Sequence, residues 1–294
     1  MSTTVGTASM QFGIDISYSA APGADPIAAA QRAERLGFDF ISTSDHPAGN
    51  QPAFETWTML SWIAARTDRI GIATRVLGVP YRNPAMTAKM AETFDRLSGG
   101  RLILGLGGGY SDAEFRAFGL GVPSPREKVD GLAEAIAIIR GLWSQSGFTF
   151  TGTHYRTEDA DLDPKPARRI PIWLGTFGPR ALAVTGRLGD GWIPSLGYQP
   201  DDELLVMRER VLTAARAAGR KPDEITCALN VPVHIGERRD NVLSGPATAI
   251  VERLISFAGW GFTSFNVVPA GRDRAAQTEL LAAEVLPAVR AAHP

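Results

Sequence analysis

Four short stretches of the chain concentrate groups that could do chemistry. Ser44-Asp45-His46-Pro47 offers a histidine able to give or take a proton near neutral pH, beside a carboxylate that can orient its ring or raise its pKa. A histidine satisfied within a loop would read the same way. Thr74-Arg75-Val76 runs into a segment with one glycine and two prolines before residue 85, which implies a tight backbone excursion or an ordinary turn. Gly105-Leu106-Gly107-Gly108-Gly109-Tyr110 lets the backbone come close to a ligand, since glycine has no Cβ to collide. Tyr110 stands at the third glycine position of the dinucleotide fingerprint, so that motif is not matched. Gly175-Thr176-Phe177-Gly178-Pro179-Arg180 precedes a helical pattern. The free N–H groups of a helix start, with the Thr176 hydroxyl, suit an anion such as a phosphate; a plain helix cap is the alternative.

All four lie where a short apolar run gives way to an amphipathic one. Strands are predicted over 11–17, 38–43, 70–77, 102–106, 172–175, 191–193, 225–235 and 262–268. Helices are predicted over 25–36, 54–66, 84–97, 126–143, 180–187, 201–219, 247–258 and 275–289, the first opening on Asp25-Pro26 and stopped by Gly37. About eight strand-helix units of this kind argue a parallel sheet covered by helices, and eight favour closure into a (β/α)8 barrel over an open sheet. The expected organisation is one barrel domain over 11–294, a disordered lead over 1–10, and one loop insertion around 145–171. Active sites of such barrels form at the C-terminal ends of the strands, where the four stretches fall.

Composition narrows the function classes. The chain has 294 residues, a formal net charge of -1 and a single cysteine, Cys227, which excludes an internal disulfide and points to a reducing cytoplasm. No clustered basic face suggests nucleic acid, and no apolar run suggests a membrane span. The four histidines have no ligand spacing, so no metal is expected, and the hydrolase and P-loop motifs are missing. Lys89, Lys128, Lys165 and Lys221 sit in predicted helices or loops, which leaves an aldolase without its Schiff-base lysine.

In order and spacing the chain resembles the bacterial luciferase-like monooxygenase family. The matching pieces are 34–46, which ends in Ser44-Asp45-His46; Arg82-Asn83-Pro84; 97–107, which ends in Gly105-Leu106-Gly107; Pro164-Lys165-Pro166; 170–175; and 186–192, which ends in Trp192. The resemblance implies a flavin or deazaflavin ring in the barrel mouth, faced by Asp45 and His46, with His46 the acid/base and Tyr110 assisting. It implies a non-prolyl cis peptide at Arg75–Val76 backing the ring, after Thr74, with Gly107 and Gly108 lining the cofactor. The turn Gly175, Thr176, Phe177, Gly178 would take its phosphate, and Trp192 to Ser195 would close one side.

Within the family the short single chain is closer to users of the deazaflavin F420, which transfer hydride to or from a small organic substrate. FMN, in an oxygen-activating enzyme served by a separate reductase, is the alternative, and a barrel that binds flavin without turnover is a third. The sugar-phosphate dehydrogenase branch carries a glutamate where this chain has Tyr110. Glu114, four residues on, is not expected to reach the centre, and a sugar phosphate is not the favoured substrate. A homodimer is what the family implies.

Overall fold

The computed structural model describes residues 10–292. The expected disordered lead thus falls outside the described residues except for Met10, which is buried.

Eight parallel strands close on themselves. They are β1 (Gln11–Asp15), β2 (Phe40–Thr43), β3 (Gly71–Thr74), β4 (Leu102–Gly107), β5 (Ile172–Leu174), β6 (Gly191–Trp192), β7 (Thr226–Ile235) and β8 (Ser264–Pro269). Each pairs with its neighbours in chain order, and β8 returns to β1 with Phe12 opposite Phe265. The helices α1 (Pro26–Arg35), α2 (Thr56–Ala64), α3 (Pro84–Leu97), α4 (Asp112–Ala117), α5 (Pro125–Ser144), α6 (Pro179–Leu188), α7 (Asp201–Ala217) and α8 (Ala247–Gly259) fill the connections. The chain ends in α9 (Arg274–Leu280), a π-turn and α10 (Leu286–Ala292). This is the (β/α)8 barrel the alternation predicts.

The helix starts follow from local chemistry. Asp25 accepts a hydrogen bond from the Ala28 amide ahead of Pro26, Asn83 does the same for Ala85 ahead of Pro84, and Ser124 with Glu127 forms a capping box for α5. Two cores result. One lies between the barrel and its helices, and a small one fills the barrel itself, where Phe40 and Trp173 meet edge to face at 5.6 Å between centroids.

Three stretches differ from expectation. The loop insertion over 145–171 holds an antiparallel hairpin, Phe148–Thr151 against Arg156–Ala160. Its Phe-Thr-Phe-Thr alternation is a period-2 pattern, and the Glu134 carboxylate ties its turn by accepting from the amides of Thr153, His154 and Tyr155. The third predicted strand breaks after Thr74 and resumes only at Leu77–Gly78. Helix α4 arises where only loop was expected, and it changes the site.

Candidate active site

The C-terminal ends of β2 to β6 enclose a cavity of about 220 Å³, lined by Ser44, Asp45, His46, Arg75, Val76 and Tyr81 on one side. Gly109, Tyr110, Glu114, Gly175, Phe177 and Tyr198 are among the residues that complete it. A larger hollow, about 620 Å³, lies at the opposite end among the first residues of the strands, such as Gly71, Leu102 and Thr226. The smaller one holds the proton-transferring groups.

His46 is 35% exposed, so its ring can be reached from the cavity. Its Nδ1 lies 3.0 Å from Glu114 Oε1, and the Tyr81 hydroxyl donates to Glu114 Oε2. A carboxylate only accepts when ionised, so Nδ1 carries the proton in the neutral ring and Nε2 is left as the acceptor. Burial first, and then the hydrogen bond to Glu114, raise the Tyr81 phenol above its ordinary pKa. Tyr81 is thus a donor at any physiological pH.

Asp45 does not orient His46. It is buried, and both its oxygens take the Arg82 guanidinium, at 2.7 and 3.1 Å, while one also accepts the Gly78 amide at 3.0 Å. The residue that holds the imidazole is Glu114, which the sequence placed out of reach. Helix α4 brings it back: Ser111 caps the helix, accepting from the Glu114 amide, and turns the side chain into the site. Ser111-Asp112-Ala113-Glu114 has the Ser-x-x-Glu spacing of a helix start, which was the available signal.

The peptide Arg75–Val76 is cis, as the resemblance implies. Glycines clear the space around it. A Cβ on Gly105 would sit 1.8 Å from the Thr74 carbonyl oxygen, and on Gly107 or Gly175 it would sit 2.7 or 3.1 Å from Val76 Cγ2. The Thr74 hydroxyl ties the bulge to β4, bonding both the N–H and the carbonyl of Gly105. Arg75 points into the barrel, where its guanidinium bonds Asp15 at 2.5 Å, Ser42 at 3.1 Å and Ser44 at 2.9 Å. From Ser42 a side-chain chain runs through Asn266 and Asn230 to Ser195. Ser42, Asn230 and Asn266 interrupt otherwise apolar strands, a pattern visible in the sequence.

The expected cofactor residues divide in two. Arg75, Val76, Gly175 and Phe177 line the cavity. Thr74, Gly107, Gly108, Thr176 and Trp192 stand behind it. Gly107 makes room for Val76, and Gly108 for the Lys128 backbone, 3.0 Å from its would-be Cβ. Thr176 is buried with its hydroxyl on Thr185, so it does not join an anion site. Trp192 is wholly buried and donates its indole N–H to the Thr176 carbonyl, which makes it a core residue. Gly178 begins α6 with no side-chain cap, which leaves the helix's first amides free for an anion. Tyr110 lines the cavity, 75% exposed, its ring edge-on to His46 at 6.4 Å. Among the described residues no group of acidic, His and Cys side chains could hold a metal.

Residues 6–284 match the luciferase-like monooxygenase family. The chain belongs to this family. Among its relatives is an F420-dependent glucose-6-phosphate dehydrogenase of Intrasporangium calvum, 38% identical over 174 residues that make up 56% of this chain and 52% of that one. Another is an F420-dependent hydroxymycolic acid dehydrogenase of Mycobacterium tuberculosis, 36% identical over 204 residues, 67% of this chain and 55% of that one. The matched part thus spans about half the length of these curated relatives. A solved F420-dependent secondary alcohol dehydrogenase, in complex with an F420-acetone adduct, superposes with a TM-score of 0.87 at 21% identity, covering 96% of this chain and 99% of that one. The luciferase-like barrel is therefore the fold of the whole described chain.

Proposed function

We propose that this luciferase-like protein is an F420-dependent oxidoreductase acting on a small organic substrate. The observation that carries the reading is a reachable imidazole, fixed by Glu114, facing a cavity whose back wall is the Val76 bulge. The glycine-cleared bulge gives a flat ring a place to lie, and the uncapped start of α6 offers amides to an anionic tail, so the residues fit the cofactor. The names of both curated relatives support F420 over FMN.

Bound there, the deazaflavin would supply the two-electron half of the reaction as a hydride acceptor or donor. The protein supplies the rest. His46 Nε2 accepts the proton of a substrate hydroxyl, or returns it in the reverse direction, and the Glu114 carboxylate stabilises the imidazolium that results. Tyr81 holds Glu114 in place from the far side. The Arg82 pair keeps Asp45 from competing for the ring. Tyr110 is placed to cover the reacting centre.

Titration of the apo-protein with F420 and, separately, FMN, followed by tryptophan fluorescence, tests the reading. Micromolar or tighter binding of F420 alone is expected. A preference for FMN, or binding of neither, would overturn it.

We place the protein in the cytoplasm, where its buried thiol suits a reducing medium; no helix among the described residues is long and apolar enough to cross a membrane. A homodimer is supported by the outer face of α2 and α3. Trp62, Met86 and Leu97 are exposed on these helices at 63%, 57% and 83%, and Leu97 lines a groove of about 330 Å³ between them. Sedimentation equilibrium at twice the chain's 31.5 kDa mass checks this.

A further inference from the structure

The charges around the cavity are already committed. Among the described residues that line it the one lysine or arginine is Arg75, and its guanidinium is held by Asp15, Ser42 and Ser44. Asp15 also takes Arg274. Just behind the wall, Arg82 is shared between Asp45 and Glu55, and Lys128 reaches Asp112 at 2.7 Å. Arg180, on the first turn of α6, is bound to Asp130. Facing the cavity beside the one committed cation are two carboxylates, Asp45 and Glu114. Glu114 has no lysine or arginine partner among the described residues, only His46 and Tyr81. A phosphate entering near His46 would lose water, gain no free cation and meet like charge.

The rim is of the opposite character. Tyr110 and Tyr198 line the cavity at 75% and 59% exposure, and Phe177 stacks on Tyr198 with centroids 5.5 Å apart. Tyr18 lies 6.0 Å from the His46 ring, and Ile193 lines the deeper wall. Partly exposed aromatic faces favour the flat or alicyclic body of an uncharged molecule.

Resting on the cofactor-dependent reading above, we infer that the substrate is an uncharged alcohol or carbonyl compound with an apolar or aromatic body. Sugar phosphates and other dianions are rejected, although a relative is named for one. In the oxidative direction the carbinol carbon gives its hydride to the bound deazaflavin, which is reduced. The hydroxyl gives its proton to His46 Nε2, and the C–O bond becomes a carbonyl. Tyr110 and Tyr198 are the specificity-determining residues.

Two readouts test this. With F420-loaded protein, loss of the cofactor's absorbance should give kcat/KM for cyclohexanol at least about 100-fold above that for glucose 6-phosphate, the scale on which a site built for one polarity rejects the other. Calorimetric titration of cyclohexanone and of glucose 6-phosphate into the protein should show binding of the ketone alone. A lysine at the exposed rim, Tyr198→Lys, should narrow the ratio by supplying the missing cation. Faster turnover or tighter binding of glucose 6-phosphate would overturn the inference and leave the F420 reading standing. So would cofactor binding with no response to the neutral pair. Failure to bind F420 would overturn the parent reading, and the calorimetric preference would still decide the substrate class.

Discussion

The two ends of the barrel use the same residue types for opposite purposes. At the N-terminal end, carboxylates pin the first amides of strands. Asp39 accepts from Phe12 of β1, Glu34 from Ile70 just before β3, Asp95 from Leu102 of β4 and Asp190 from Ile172 of β5. Three of the four also hold a guanidinium: Arg290 on Asp39, Arg168 on Asp95, and both Arg140 and Arg169 on Asp190. Charge there is cancelled on the spot and fixes where strands begin. At the mouth Asp45 follows the same rule, with Arg82 and an amide, but Glu114 does not. Its partners are uncharged or titratable rather than permanently cationic: an imidazole, the side chain suited to proton exchange near neutral pH, and a phenol that keeps its proton. The difference separates acids that hold the barrel together from the one we propose to serve the chemistry.

The largest effect that would sharpen this contrast is on turnover. With the true substrate and bound cofactor, His46→Ala should lower kcat by about 100- to 10,000-fold, the usual worth of a positioned acid/base, and leave Tm unchanged. Glu114→Gln should lower kcat less. In the His46→Ala background it should cost little more, with a coupling of about 0.5–3 kcal/mol in the double-mutant cycle. Near-wild-type kinetics for His46→Ala would remove the histidine from the mechanism.

At the other end the expectation inverts. Asp190→Ala strips a buried carboxylate from Arg140, Arg169 and the Ile172 amide. Breaking a buried pair from one side typically costs several kcal/mol; both arginines keep some solvent here, so about 3 kcal/mol is expected in denaturant unfolding. Activity per folded molecule should be unaltered. A drop in kcat with no loss of stability would erase the division between the two ends.

The fold was legible because strand and helix periods alternate so regularly, and because Asp25-Pro26 marks the first helix start by local chemistry; the caps Asn83 and Ser124 show only in the structure. Of the site, the sequence placed His46 at the mouth of the barrel but not the residue that holds its ring. Adjacency misled at Asp45: neighbours in sequence at a strand end point different ways, and Asp45 turned to Arg82, 37 residues on. The partner came instead from Glu114, 68 residues away, through a helix of six residues too short to show a period. Glycine was read as room for a ligand, yet Gly105 and Gly107 make room for the protein's own Thr74 and Val76. Sequence cannot tell those two uses apart, because both need only a missing Cβ.

The smallest effect separates the two ends by pH. Burial pushes the Glu34 carboxyl up, but the amides of residues 68–70 outweigh it and bring it below its ordinary value, so that contribution to stability is present at neutral pH and lost as pH falls. Tyr81 works in the other direction. Burial and the bond to Glu114 raise its folded pKa above the unfolded value of 10.0, so the folded chain holds this proton more tightly. The resulting stability is fully present below about pH 10 and is lost as pH rises above it. Tyr81→Phe removes the hydrogen bond, a cost of about 1 kcal/mol near neutrality, and removes the alkaline slope with it. The difference in unfolding free energy between the two proteins should therefore be flat from pH 7 to 9 and shrink above 10. Tyr155, which burial also raises, is common to both and cancels. A difference that stays constant through pH 11 would mean that Tyr81 does not hold Glu114, and the mouth would lose the contact that sets its carboxylate apart from those at the base.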